Sequence, residues 1–202
     1  MNPLLAAALA VALPFATASV AHAAATVGQP APAFTLTDSK GKPHALADFA
    51  GKTVVLEWFN HECPFVKKHY SAGNMQRQQS AAIADGAVWL VVNSSAPGKQ
   101  GHVDGAKADG ILAEWKATPT AFLLDHDGTV GRAFGAKTTP HMFVIDGDGV
   151  LRYNGAIDSN PSADAADIPD STQFVEAALA DLAANRPVAR ATTQAYGCSV
   201  KY

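Results

Sequence analysis

The seven residues Thr53-Val54-Val55-Leu56-Glu57-Trp58-Phe59 run without interruption into Asn60-His61-Glu62-Cys63-Pro64. An unbroken β-branched and aromatic run predicts a central strand. Pro64 has no N–H to give a sheet, yet its fixed φ suits the first position of a helix. From Phe65 to Ala84 the composition is helical, with a break at Gly73. A strand that passes into a helix within a few residues, with a cysteine at the junction, restricts the chain to architectures alternating the two element types.

The alternation continues. Ala87-Val88-Trp89-Leu90-Val91-Val92 reads as a second buried strand, followed by a polar loop from Ser94 to Gly101 and a helix from Val103 to Trp115. Thr120 to Leu124 forms a third strand, ending at Asp125-His126-Asp127-Gly128 and a short helix from Val130 to Phe134. His141 to Ile145 is a fourth, joined through Asp146-Gly147-Asp148-Gly149 to Val150–Tyr153 as a hairpin. Upstream, Ala33 to Thr37 alternates like a strand and Asp38 to Lys42 is a turn. Downstream, Ser159 to Ser171 is an acidic loop. A last amphipathic helix spans Thr172 to Ala184, with Phe174, Val175, Ala178, Leu179 and Leu182 on one face. The expectation is an α/β fold with a mixed central sheet flanked by helices and an N-terminal β-hairpin extension. With 48% hydrophobic and 16% charged residues, the chain can bury a sizeable core and is not disordered. No internal repeat or second core is visible. One domain is expected over residues 27–184, with 185–202 as an extended tail carrying Cys198.

Residues 1–23 read as a secretory signal peptide: Leu4 to Val20 is almost wholly apolar, and Ala21-His22-Ala23 is a small-x-small cleavage site. An uncleaved anchor is the competing reading, but Pro14 interrupts a run already short for a span. No other segment approaches the roughly 20 apolar residues that a spanning helix needs. The processed chain is expected to be exported, periplasmic or secreted, without stable membrane insertion. A net charge of −3 offers no basis for a nucleic-acid partner.

Export changes the reading of the two cysteines, because disulfides persist in oxidising compartments. Cys63, at a helix start, faces unsatisfied N–H groups and the positive end of the helix dipole, which favour the reactive thiolate. Lys67 and Lys68 are near enough in sequence to help, and Glu62 opposes them. Cys198, in Tyr196-Gly197-Cys198-Ser199-Val200-Lys201-Tyr202, has three roles open to it. It is a resolving thiol for an oxidised Cys63, a static disulfide partner, or a separate thiol. A static bond would stabilise by about 4–5 kcal/mol on chain-entropy grounds. Thr139-Pro140, just before the fourth strand, fits either a cis peptide or an ordinary strand-entry proline. His61, Cys63 and His69 are donors that copper or zinc accepts, but a single thiol argues against a metal. The two Asp-Gly turns lack EF-hand spacing, and Gly51-Lys52-Thr53 lacks the leading glycine of a P-loop. No cofactor is expected.

These residues carry a resemblance. Val54 to Phe59 with Cys63-Pro64 resembles the strand-to-helix active-site segment of the thioredoxin superfamily. Phe122-Leu123-Leu124-Asp125, Gly128 and Phe134-Gly135-Ala136 resemble peroxiredoxins, and Thr139-Pro140 with Phe143-Val144-Ile145-Asp146 looks like a cis-proline loop and its strand. From Val27 to Tyr202 the chain is most similar to peroxiredoxin-like redoxins of the alkyl hydroperoxide reductase and thiol-specific antioxidant group. The resemblance implies a thioredoxin-like fold and a thiol-dependent oxidoreductase or antioxidant. Such a protein reduces peroxide or disulfide through Cys63, with Cys198, Asn60 and Pro140 as further site residues and a thiol reductant protein as partner. The sequence departs from the pattern in three places. Val66 stands where thioredoxins have their second cysteine. Asn60 stands where peroxiredoxins place Thr or Ser, and Pro140 where they place an arginine. These departures give weight to a second reading, a non-catalytic thioredoxin-fold module that binds a metal or a protein.

Overall fold

The computed structural model describes residues 24–202, so the expected signal peptide lies outside the described residues. Nine strands and five α-helices follow in chain order among those residues: β1 (Thr35–Asp38), β2 (Pro43–Ala45), β3 (Val54–Trp58), α1 (Pro64–Ser71), α2 (Asn74–Ala84), β4 (Val88–Asn93), α3 (Gly105–Glu114), β5 (Ala121–Leu124), α4 (Thr129–Phe134), β6 (Thr138–Thr139), β7 (His141–Ile145), β8 (Leu151–Gly155), α5 (Phe174–Ala183) and β9 (Cys198–Ser199). Seven strands form one mixed sheet in the order β2-β1-β5-β4-β3-β7-β8. β3 runs parallel to β4 and β4 parallel to β5; the other pairings are antiparallel. The expected N-terminal hairpin is present as β1 and β2.

β3 lies between β4 and β7, and every residue in it is buried. Val54, Leu56 and Trp58 pack on one face with Phe34, Val130, Phe134 and Phe143. Val55 and Phe59 pack on the other with Val66, Tyr70, Met75, Ile111, Val175 and Ala178. Two buried faces explain why β3 shows no polar alternation. The break at Gly73 is real: its φ of 72° is left-handed, and it separates α1 from α2. Placing Cα in that region is nearly free for glycine and costly for other residues. The tail forms a second, two-stranded sheet, β9 against β6, with Thr139 opposite Cys198 and Thr138 opposite Ser199. Among the described residues, no helix is long and apolar enough to cross a membrane.

Candidate active site around Cys63 and Cys198

Cys63 is the N-cap of α1, with extended backbone (φ −75°, ψ 123°) and Pro64 in the first turn. The β3 frame and the helix start therefore fix its position by local chain alone. It is completely buried. Its thiol donates to the Thr139 carbonyl oxygen at 3.0 Å, and the Thr139–Pro140 peptide is cis. Burial opposes the Cys63 thiolate. The polar groups of Cys198, Thr139 and Val66 around the sulfur outweigh it and bring the pKa below the ordinary cysteine value. Val66 lies in the first turn of α1, where backbone N–H groups have no partner within the helix.

Cys198 belongs to the same arrangement. Burial, the contact with Cys63 and the Cys63 charge push its pKa up to about 11. The pair thus divides into a thiolate-favouring and a thiol-favouring member. Both are free thiols.

Strong anchors hold the tail in place. The Tyr196 hydroxyl donates to Asp158 and lies 3.4 Å from His69 Nε2. The Tyr196 ring meets Phe65 edge-on, with centroids 5.8 Å apart, and Lys68 Nζ is 5.7 Å from its centroid. Lys68 and Asp158 are fully buried and 3.4 Å apart, and Lys68 also donates to the Asn160 carbonyl at 3.0 Å. Asn74 donates to His69 Nδ1 at 2.9 Å, leaving Nε2 to carry the His69 proton toward Tyr196. Burial lowers the His69 pKa to about 4, so the ring is neutral. Beyond Cys198, the Val200 N–H donates to the Lys137 carbonyl and the Ala96 N–H to the Lys201 carbonyl. The Tyr202 hydroxyl donates to the Ala136 carbonyl at 2.8 Å, under the Arg132 guanidinium.

Gly197 is required by contact as well as conformation. Its φ is 131°, and a Cβ there would lie 2.1 Å from the Thr139 carbonyl oxygen and 2.8 Å from its carbon. Only glycine lets the tail backbone pass this close to the Thr139–Pro140 peptide, and that passage places Cys198 over Cys63.

The cis Thr139–Pro140 peptide and Cys198 lie beside Cys63: Thr139 accepts the Cys63 thiol through its carbonyl and pairs with Cys198 across β6–β9. Asn60 sits at the end of β3 with its side chain engaged: Oδ1 accepts the Glu62 N–H at 2.8 Å, and Nδ2 donates to the Gln100 carbonyl at 3.4 Å. The expected help from Lys68 is not realised, because its ammonium is turned into the Asp158 pocket. Glu62 instead accepts the Gly101 N–H. Sequence reasoning missed the Lys68–His69–Asp158–Tyr196 socket. It also missed Glu57, buried beneath the site on β3, whose carboxylate accepts from Tyr70, Trp89 and Gln79. Burial raises the Glu57 pKa to about 7 despite these donors. The period-2 pattern signals Glu57: an acid on the face of Val55 and Phe59 in a fully buried strand has to be hydrogen-bonded.

The Redoxin family pattern matches residues 26–170. The thiol:disulfide interchange protein DsbE of Escherichia coli (strain K12) is 30% identical over 141 residues, covering 68% of this chain and 69% of that protein. The thiol-disulfide oxidoreductase ResA of Geobacillus kaustophilus is 31% identical over 118 residues, covering 53% of this chain and 68% of that protein. Among solved structures, an uncharacterized conserved protein from Geobacillus kaustophilus superimposes with a TM-score of 0.75 at 25% identity. That alignment covers 88% of this chain and 92% of the other. With its strand-to-helix cysteine and cis-proline loop in the thioredoxin arrangement, the chain belongs to the Redoxin family of the thioredoxin superfamily.

Proposed function

We propose that the protein is an exported thiol-dependent oxidoreductase that cycles between a Cys63/Cys198 dithiol and a Cys63–Cys198 disulfide. One observation carries this reading: β9 pairs Cys198 with Thr139, whose carbonyl accepts the Cys63 thiol, so two cysteines 135 positions apart in sequence meet at one spot. The thiolate of Cys63 attacks one sulfur of a substrate disulfide, forming a mixed disulfide and releasing the other sulfur as a thiolate. Cys198 then gives up its proton and attacks Cys63, which frees the second substrate sulfur. The protein dithiol is oxidised, the substrate disulfide is reduced, and the two thiol protons pass to the products. A thiol reductant protein restores the dithiol by the reverse exchange. The division of the thiols suits this order, since Cys63 is the better thiolate and Cys198 stays protonated until the mixed disulfide forms.

Disulfide is favoured over peroxide as the substrate. Pro140 offers no donor where peroxiredoxins have an arginine, and the Asn60 amide is engaged in its loop. The similarity to DsbE and ResA points the same way. Peroxide reduction remains the finer alternative: Cys63 would become a sulfenic acid, which Cys198 would condense with loss of water. No cofactor, nucleic acid or stable membrane insertion enters this reading. Residues 1–23 act as the removable export signal, and the domain and tail divide near residue 184.

The decisive experiment equilibrates the processed chain with glutathione buffers, then uses mass spectrometry to locate the bond. A Cys63–Cys198 disulfide that forms reversibly, with complete loss of disulfide reductase activity in Cys63→Ser, is expected. Activity retained in Cys63→Ser ends the proposal. A sulfenic acid on Cys63 after one equivalent of peroxide, together with inert glutathione exchange, transfers it to the peroxide reading. An unreactive thiol in both tests leaves the binding module as the function.

A further inference from the structure

Cys63 is completely buried, and part of what covers it is the tail, which packs Cys198 against the same cluster and pairs it with Thr139, the residue whose carbonyl accepts the Cys63 thiol. A nucleophile in this state meets no external disulfide until residues around 196–200 lift away. Two residues of strand pairing in β6–β9 are too few to hold a segment down unaided. Something else sets how often the tail lifts and how well it returns.

The Tyr196 socket is built for this. Its charged members, Lys68 and Asp158, have no side-chain exposure at all, an expensive arrangement unless every donor and acceptor is matched. Lys68 spends its protons on Asp158 and the Asn160 carbonyl. One Asp158 oxygen accepts from Lys68, and the other accepts from the Asn160 N–H and from Tyr196. His69 is held by Asn74 on one side and faces Tyr196 on the other. The tyrosine hydroxyl thus completes a buried polar cluster on the domain, two residues before the reactive pair's second thiol.

We infer that Tyr196, seated in the Lys68–His69–Asp158 socket, is the latch that positions Cys198 over Cys63 and shields Cys63 while it is docked. Tyr196 is a positioning residue. Its hydroxyl engages Asp158 and faces His69, and it acts by fixing where the tail re-enters after each excursion. The inference deepens the redox reading above, since the rate at which Cys198 attacks a Cys63 mixed disulfide depends on its effective concentration there.

Tyr196→Phe is the discriminating variant, because it keeps the ring against Phe65 and Lys68 and removes only the hydroxyl. Cys63 alkylation by iodoacetamide is followed in the full reduced chain by peptide mass spectrometry. Loss of a hydrogen bond to a buried carboxylate predicts alkylation about tenfold faster. It also predicts a Cys63–Cys198 bond that needs an about tenfold more oxidising glutathione ratio for half-formation. Tyr196→Ala extends both shifts in the same direction, and thermal melting of each variant checks that the domain stays folded. A packing role for the ring alone predicts no shift in either quantity for Tyr196→Phe. Wild-type alkylation rates in both folded variants overturn the latch. If the wild-type chain forms no Cys63–Cys198 bond in any glutathione buffer, the redox pairing fails, and the latch is judged on alkylation alone.

Discussion

The two cysteines reach the same spot by opposite routes. Cys63 is placed by neighbours in sequence: a strand buried on both faces, a proline at the helix start and its own seat as the N-cap of α1. Cys198 is placed by residues far away in sequence, through Tyr196 on Asp158, Gly197 against Thr139, and Tyr202 beneath Arg132. One thiol is fixed to the framework and the other is carried on an arm docked to it. A rigid nucleophile with a detachable partner fits an exchange reaction in which an incoming substrate has to displace one of the two.

The comparison breaks first, and most strongly, at Glu57. Its pKa is raised in the folded state from an ordinary 4.5 to about 7, so folding favours the protonated acid. The stabilisation is full below pH 4.5 and disappears as pH rises through about 7. The wild-type chain is expected to lose roughly 3 kcal/mol across that window from this one group. Glu57→Gln should flatten the slope. Urea unfolding at pH 5 and pH 8 measures it, and an unchanged slope means the carboxyl is not the group that titrates. If the framework and the arm are separate, tail docking in this variant should match wild type at equal pH.

Gly197→Ala probes the arm. The left-handed φ and the 2.1 Å approach to the Thr139 oxygen should weaken docking by about 1–3 kcal/mol. Cys63 should then react faster with small alkylating reagents, while the urea midpoint of the domain barely moves. A midpoint that falls in step with docking would show that arm and framework fold as one unit.

Tyr202→Ala is the mildest change. It removes one hydrogen bond and a cation–π contact, together worth about 1–2 kcal/mol of docking at the far end. The effect on Cys63 alkylation should be smaller than that of Gly197→Ala, since Tyr196 still holds the near side. An effect as large as that of Gly197→Ala would make the far anchor the stronger one and contradict the role given to Tyr196.

The same division explains what could be read from the chain. Local signals were enough for the strand run of β3, the stop at Gly73, the β7–β8 hairpin and the apolar face of α5. Each depends on residues a few positions apart, as does Cys63 at its helix start. The sequence also marked Thr139-Pro140, but only the fold shows that its carbonyl receives the Cys63 thiol. Asp158 was hidden at the edge of a stretch that reads as a solvated acidic loop, and Lys68 looked like a surface cation near a thiol. Neither residue carries a mark of burial, because their partners come from other segments of the chain. The tail had no periodicity to read. Its aromatic residues at 196 and 202 bracket the Gly-Cys pair, yet a tyrosine anchor looks like any other tyrosine until its socket is built.

The shortness of the β6–β9 ladder has a consequence on the time axis. A pairing of two residues opens and closes without disturbing the sheet beneath it, so the amides of Cys198 and Val200 should exchange with solvent by local opening while the β3 and β4 amides wait for global unfolding. The protein then keeps two clocks, one for the core and one for its reactive sulfur, and the faster of them reports how much of the time Cys63 is open for business with another molecule.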